Sequence, residues 1–167
     1  MNMQQIKNIA KQGEFEKALE ECENHLSNGL TEKVEVMRAR SHVYTLMRNY
    51  EKALSDREAV LELEDCAIRD YYLAADCAII NESYDKAYVW LMDVLRLSDE
   101  EGEDWFLSAA NFLLAYVQMK LGNYPDAIKF LDEAVLIEAD CSMHIPEYGM
   151  CSSSLLRSEI EKYSRYN

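Results

Sequence analysis

Apolar residues recur at three- and four-residue intervals along much of the chain. Tyr84, Ala87, Tyr88, Leu91, Val94 and Leu95 form one such stripe, and Tyr124, Ala127, Ile128, Leu131, Ala134 and Val135 form another. This spacing puts each set on one side of an α-helix. Breakers are scarce, with 5 Gly and 2 Pro in 167 residues. The pattern therefore predicts helices joined by short turns, not a sheet with many corners. Pro125 does not break its stripe, because proline is tolerated in a first helical turn.

The stripes repeat. Phe15-Glu16-Lys17-Ala18, Tyr50-Glu51-Lys52-Ala53, Tyr84-Asp85-Lys86-Ala87 and Tyr124-Pro125-Asp126-Ala127 each carry an aromatic followed three residues later by alanine. The aromatics lie 35, 34 and 40 residues apart. Nine residues before them stand Ile6, Ser41, Ala75 and Ala115, and ten after stand His25, Val60, Val94 and Ala134. Mostly small side chains at these places let two helices approach closely, while the ring fills the wedge beside the turn. Gly13 and Gly122 precede their aromatics by two residues, where a left-handed residue helps one helix end and the next begin. The reading predicts one domain, 1–167, with hairpins over about 2–28, 31–64, 66–97 and 104–138. A further helix is expected over about 146–163, with Tyr148, Cys151, Leu155, Ile160 and Tyr163 covering the open end of the stack.

On these residues the chain resembles the tetratricopeptide repeat family, whose period is about 34 residues. The resemblance implies an all-α fold, a helical-hairpin solenoid coiled as a superhelix. It departs from the family where Met37, Tyr71 and Asn111 replace an early tryptophan, and where Asp65, Asp99 and Ala139 stand in place of a closing proline. Arg57 occupies a slot held elsewhere by Cys22, Leu91 and Leu131. The resemblance also implies that the first helix of each hairpin lines a concave groove. The groove candidates are then Lys7, Lys11, Arg38, His42, Thr45, Arg69, Tyr72, Asp76, Ile79, Phe112, Tyr116 and Met119. Such a groove would be basic at one end and aromatic at the other. The lysine and asparagine slots that clamp chaperone tails in part of the family hold Met3 and Lys7 here, with Ala39 and Leu73 in further clamp slots. That clamp is mostly missing.

Charge narrows the partners. The net charge of −14 opposes phosphate backbones and anionic membranes, so neither nucleic acid nor membrane is expected. It suits a basic protein partner, and equally it suits simple solubility. The run Asp99, Glu100, Glu101, Gly102, Glu103 and Asp104 reads as a solvated loop whose last acids support the next helix, with docking of a basic segment as the functional alternative. Its spacing does not match a calcium-binding loop. Residues 73–80 are apolar but too short to span a bilayer, and the first five residues lack the apolar run of a secretory signal. A cytoplasmic location is expected.

Catalytic chemistry finds little support. The five cysteines are scattered, with no closely spaced pair, and read as reduced and buried. His25, His42 and His144 are far apart in sequence, and His25 falls in a packing slot. Cys141, His144 and Cys151 could at most be part of a metal site, and they lack a fourth ligand. No phosphate-binding loop or nucleophile motif occurs. The sequence thus points to a non-catalytic module without cofactor or metal that binds a protein or peptide. The alternatives are an acidic immunity-type inhibitor of a basic toxin, and a secretion chaperone.

Overall fold

The computed structural model describes residues 1–29, 31–63 and 66–166. Among them run α1 (Met3–Lys11), α2 (Phe15–Asn28), α3 (Lys33–Leu46), α4 (Tyr50–Leu61), α5 (Ile68–Ile80), α6 (Tyr84–Glu101), α7 (Leu107–Lys120) and α8 (Tyr124–Ile137). Two short strands, β1 (Ser142–Ile145) and β2 (Gly149–Ser152), precede α9 (Ser153–Tyr166). The expected end of the second hairpin at residue 64, and Asp65, lie outside the described residues. The chain was expected to pack as one domain. It divides into two compact units, Met1–Asp70 and Tyr71–Asn167, with the division inside the first turn of α5.

The four hairpin turns share one construction. Gly13, Arg48, Glu82 and Gly122 all adopt positive φ, at 88°, 58°, 57° and 81°. Each sits two residues before the repeated aromatic. The following residue donates its N–H back to the fifth residue before it: Glu14 to Ile9, Asn49 to Tyr44, Ser83 to Ala78 and Asn123 to Gln118, at 2.8–3.2 Å. These bonds satisfy carbonyls that the end of a helix would otherwise leave open. The same four residues then accept the N–H of Ala18, Ala53, Ala87 and Ala127, at 3.0–3.1 Å, and so begin the next helix. One residue closes one helix and opens its partner, which is why the turns are so short.

Those four alanines have no exposed surface. The slots nine residues before the aromatics are also buried, with Ile6, Ala75 and Ala115 at 0% exposure and Ser41 at 3%. The helix contacts follow: α1 against α2 and α3, α2 against α3, and α3 against α4 in the N-terminal unit. In the C-terminal unit α6 packs on α7, and α7 on α8. In the N-terminal unit, Ile6, Ala10, Ala18, Cys22, Val36, Ala39 and Val43 form a continuous core.

His25 is part of this frame. Its ring nitrogens lie 2.7 Å from the Thr31 hydroxyl and 2.6 Å from the Met1 carbonyl oxygen, and the residue is buried. The N-terminal unit also buries charge in pairs. The Arg40 guanidinium donates to both carboxylate oxygens of Asp56, at 2.9 and 2.6 Å, and also reaches Glu23. Arg38 does the same with Asp70, at 3.0 and 2.5 Å.

The residues 142–152 depart from the expected helix over 146–163. Cys141, Met143 and Ile145 turn inward while Ser142 and His144 face out, an alternation that suits a strand and not a helix. β1 and β2 pair antiparallel, Met143 opposite Cys151 and Ile145 opposite Gly149. The three-residue loop of Pro146, Glu147 and Tyr148 leads into Gly149, whose φ of 67° only glycine adopts freely. The covering helix begins only at Ser153.

Arg48 and Glu82 occupy a left-handed position that glycine fills in the other two turns, and both side chains are exposed. Arg48→Gly and Glu82→Gly should each stabilise the protein by about 0.5–1 kcal/mol, the strain relieved minus glycine's extra chain entropy. Urea unfolding of the two variants checks this.

Candidate protein-binding surfaces

The twelve expected groove residues fall in both compact units. In the N-terminal unit, the charges of Lys7 and Lys11 on α1 act on His42 of α3. Burial lowers the His42 pKa, and the positive charges of Lys7, Lys11 and Arg57 lower it further. The ion pairs of this unit join Lys17 to Glu14, Arg38 to Glu35 and Asp70, Arg40 to Glu23 and Asp56, and the N-terminus to Glu21. Among the described residues, Lys7 and Lys11 take no part in them. A patch of uncompensated positive charge therefore sits on the first-helix face of an acidic protein. Arg38 belongs to its ion pairs instead, and Arg69 is exposed at the start of α5. The Thr45 hydroxyl donates to the Ser41 carbonyl at 2.9 Å and accepts from Arg57 at 3.4 Å.

The aromatic end is corrected by the structure. Phe112, Tyr116 and Met119 are 0%, 1% and 4% exposed, and Ile79 is 2% exposed. They are packing residues, not open anchors. Helix α7 is buried continuously from Ala110 to Met119, as a helix apolar on all sides must be. Helices α6 and α8 pack on α7, and the β-hairpin folds against it as well. The Tyr148 ring meets Tyr116 edge-on at 6.4 Å, and Tyr84 meets it at 6.2 Å from α6. Lys120 pairs with Glu147 and lies over both the Tyr84 and Tyr116 rings, 5.6 and 5.9 Å from their centroids. Burial and the neighbouring Tyr84 push the Tyr116 hydroxyl well above its ordinary pKa. Tyr72 is half-buried, its ring centroid 5.1 Å from that of Phe106, and burial together with Asp76 pushes its hydroxyl up to about 12. The hairpin was legible in the alternation at 141–145 and in the Pro146–Gly149 turn, but the helical spacing of Tyr148, Cys151 and Leu155 pointed the other way.

The acidic segment is also corrected. Asp99, Glu100 and Glu101 are not loop residues: they form the last turn of α6, which Gly102 ends with φ 68°. Arg96 donates to Glu100 and Asp93, which offsets acids placed at the unfavourable end of a helix dipole. Glu103 and Asp104 follow in the turn, and no acidic side chain caps α7, whose first turn carries no acid. All five acids are exposed.

The thiols face inward. Cys22 is raised to about 11 by burial, and burial raises Cys141 and Cys151 as well. Cys141 and Cys151 are buried while His144 is exposed. Among the described residues, no three His, Cys, Asp or Glu side chains are grouped to hold a metal ion, and no helix is long and apolar enough to cross a membrane.

If Tyr116 is a packing residue, Tyr116→Ala should cost about 3–5 kcal/mol in urea unfolding, the range for loss of a buried ring. A groove anchor open to solvent would cost far less.

No protein-family model and no curated protein matches the chain. Solved structures do. MamA aligns over 98% of this chain and 86% of its own, at 15% identity and a TM-score of 0.68. Nearly identical TPR-like repeats from Podosopora anserina align over 98% and 83%, at 15% identity and 0.69. A tetratricopeptide repeat protein from Parabacteroides merdae aligns over 83% of this chain and 53% of its own, at 19% identity and 0.63. Likeness at such low identity speaks of fold, and the fold of this chain is a tetratricopeptide-like, all-α helical repeat.

Proposed function

We propose that this protein is a non-catalytic binding module for another protein, and that the first-helix face of its N-terminal unit receives an acidic, extended segment of that partner. The observation that carries this reading is that Lys7 and Lys11, which join no ion pair among the described residues, both act on His42 in a chain of net charge −14. Arg38 and Arg40 of α3, by contrast, are matched with acids, each donating to both oxygens of one carboxylate. Like charges held together cost free energy, and a partner's carboxylates would return it on binding.

The inhibitor reading requires the opposite chemistry, a basic partner. The acids open to it are Asp99, Glu100, Glu101, Glu103 and Asp104 at the end of α6, and they would act mainly on the rate of encounter.

Protonation gives the test its sign. The His42 pKa is lowered in the free protein, by burial first and then by the cations around it, so His42 is neutral near neutral pH. Folding stability linked to it is fully present above the unfolded value of about 6.5 and is lost as pH falls through the lowered folded value. A bound carboxylate offsets the part of the shift that Lys7, Lys11 and Arg57 cause, so binding takes up a proton and tightens as pH falls toward the His42 pKa. Partners captured from the native host and identified by mass spectrometry should be lost with Lys7→Glu/Lys11→Glu. Titration of a synthetic peptide from the captured partner should tighten at lower pH, and His42→Gln should remove that dependence. Capture unchanged by the double charge reversal contradicts the site.

A further inference from the structure

The C-terminal unit has a second surface that the first-helix face does not explain. Helices α6 and α8 stand apart over α7 and leave an open cleft of about 620 Å³. Tyr88 and Leu95 line one wall, Phe130 and Ile137 the other, and Asn111 lies on the floor. The vacancy has a cause in the repeat. The slot that holds Met37 in the second hairpin and Tyr71 in the third holds only Asn111 in the fourth, whose side chain turns back to donate to the Leu107 carbonyl at 2.9 Å. A large side chain is missing from the place where two neighbouring second helices could share it.

Apolar surface continues beyond the cleft. Met92, on the same stripe of α6 as Tyr88 and Leu95, is 37% exposed, and next to it Val89 is 55% exposed. On α8, Leu136 is 80% and Ile137 49% exposed. Trp105, 80% exposed, lies two residues before Leu107, which lines the cleft. These exposed apolar side chains stand in sequence beside residues that line the cleft.

We propose that this cleft seats a basic amphipathic helix of a partner protein, laid between α6 and α8. The wall residues decide between a helix and an extended strand. Tyr88 and Leu95 are seven residues apart, as are Phe130 and Ile137, so each wall offers two turns of ridge to interlock with a third helix. The walls and floor are helices whose backbone groups are already bonded, and an extended segment would bury its own backbone there without a partner. A helix brings its backbone bonds with it.

Charge decides between a foreign helix and a second copy. The cations beside the cleft are already engaged, Lys129 with Asp126 and Arg96 with Asp93 and Glu100. Glu133 on the wall and Glu103 and Asp104 near its end remain in excess. A second copy of a chain with net charge −14 would set acid against acid, whereas lysines flanking an apolar ridge meet complementary charge.

The test uses the intact protein and a fluorescent helical peptide of about 18 residues, leucine-ridged and lysine-flanked. Two variants alter the cleft without altering charge: Asn111→Trp fills it, and Ile137→Ser weakens a wall at a half-exposed position. Fluorescence anisotropy should give binding that drops about tenfold or more in both variants. Lys7→Glu/Lys11→Glu should leave it unchanged, which separates this surface from the first-helix site. Amide NMR shifts on peptide addition should concentrate on α6 and α8. Should Asn111→Trp prove unfolded by circular dichroism, Ile137→Ser alone decides. Equal affinity for the wild type and the folded variants overturns the proposal. So does equal binding of a proline-interrupted peptide of the same composition. Dimerisation in sedimentation that the same variants abolish would assign the cleft to a second copy and overturn the basic partner.

Discussion

The fold depends on how closely two helices of a hairpin can approach. Ala18, Ala53, Ala87 and Ala127 lie at that approach with no exposed surface, one turn into the second helix. A larger side chain there would have to force the helices apart, and the packed interior has little room to absorb the shift. The turn enforces the same geometry from the chain side. A left-handed residue at 13, 48, 82 and 122 reverses direction at once, and the residue after it serves as the end of one helix and the start of the next. Approach and turn are therefore one constraint, and the aromatic between them fills the wedge that they create.

This explains which parts of the structure could be read in the residues. The aromatic-to-alanine spacing and the small flanking side chains encode the constraint directly, so the helices of all four hairpins were legible, as was the structural place of His25. Arg48 and Glu82 take the left-handed turn without glycine, and local residue preference gives no hint of them. Their conformation follows from the hairpins on either side. The β-hairpin was obscured because Tyr148, Cys151 and Leu155 fall at helical spacing, while the signals for strands, the alternation of 141–145 and the Pro146–Gly149 turn, are short. Phe112, Tyr116 and Met119 were placed on the right helix. Their burial comes from α6, α8 and the hairpin packing on α7, tertiary events that no local pattern records.

The same folding event changes what the protein offers a partner. Aromatic surface that would have lined one end of a groove is packed beneath Tyr148 and the Lys120–Glu147 pair. What stays open differs between the two units. The N-terminal unit presents Lys7 and Lys11, which join no ion pair among the described residues, near a neutral His42. The C-terminal unit presents apolar walls with acids in excess, because Asn111 leaves a repeat slot unfilled. Under the proposed reading, these surfaces suit partners of opposite character, one acidic and one basic.

The account stands or falls on the alanine approach. Urea unfolding of Ala18→Leu, Ala53→Leu, Ala87→Leu and Ala127→Leu, each as a single variant, measures it most directly. The account predicts a loss of about 1–3 kcal/mol or more at every one of the four positions, the cost of overpacking a filled interior. Leucine tolerated without loss at these sites would contradict it.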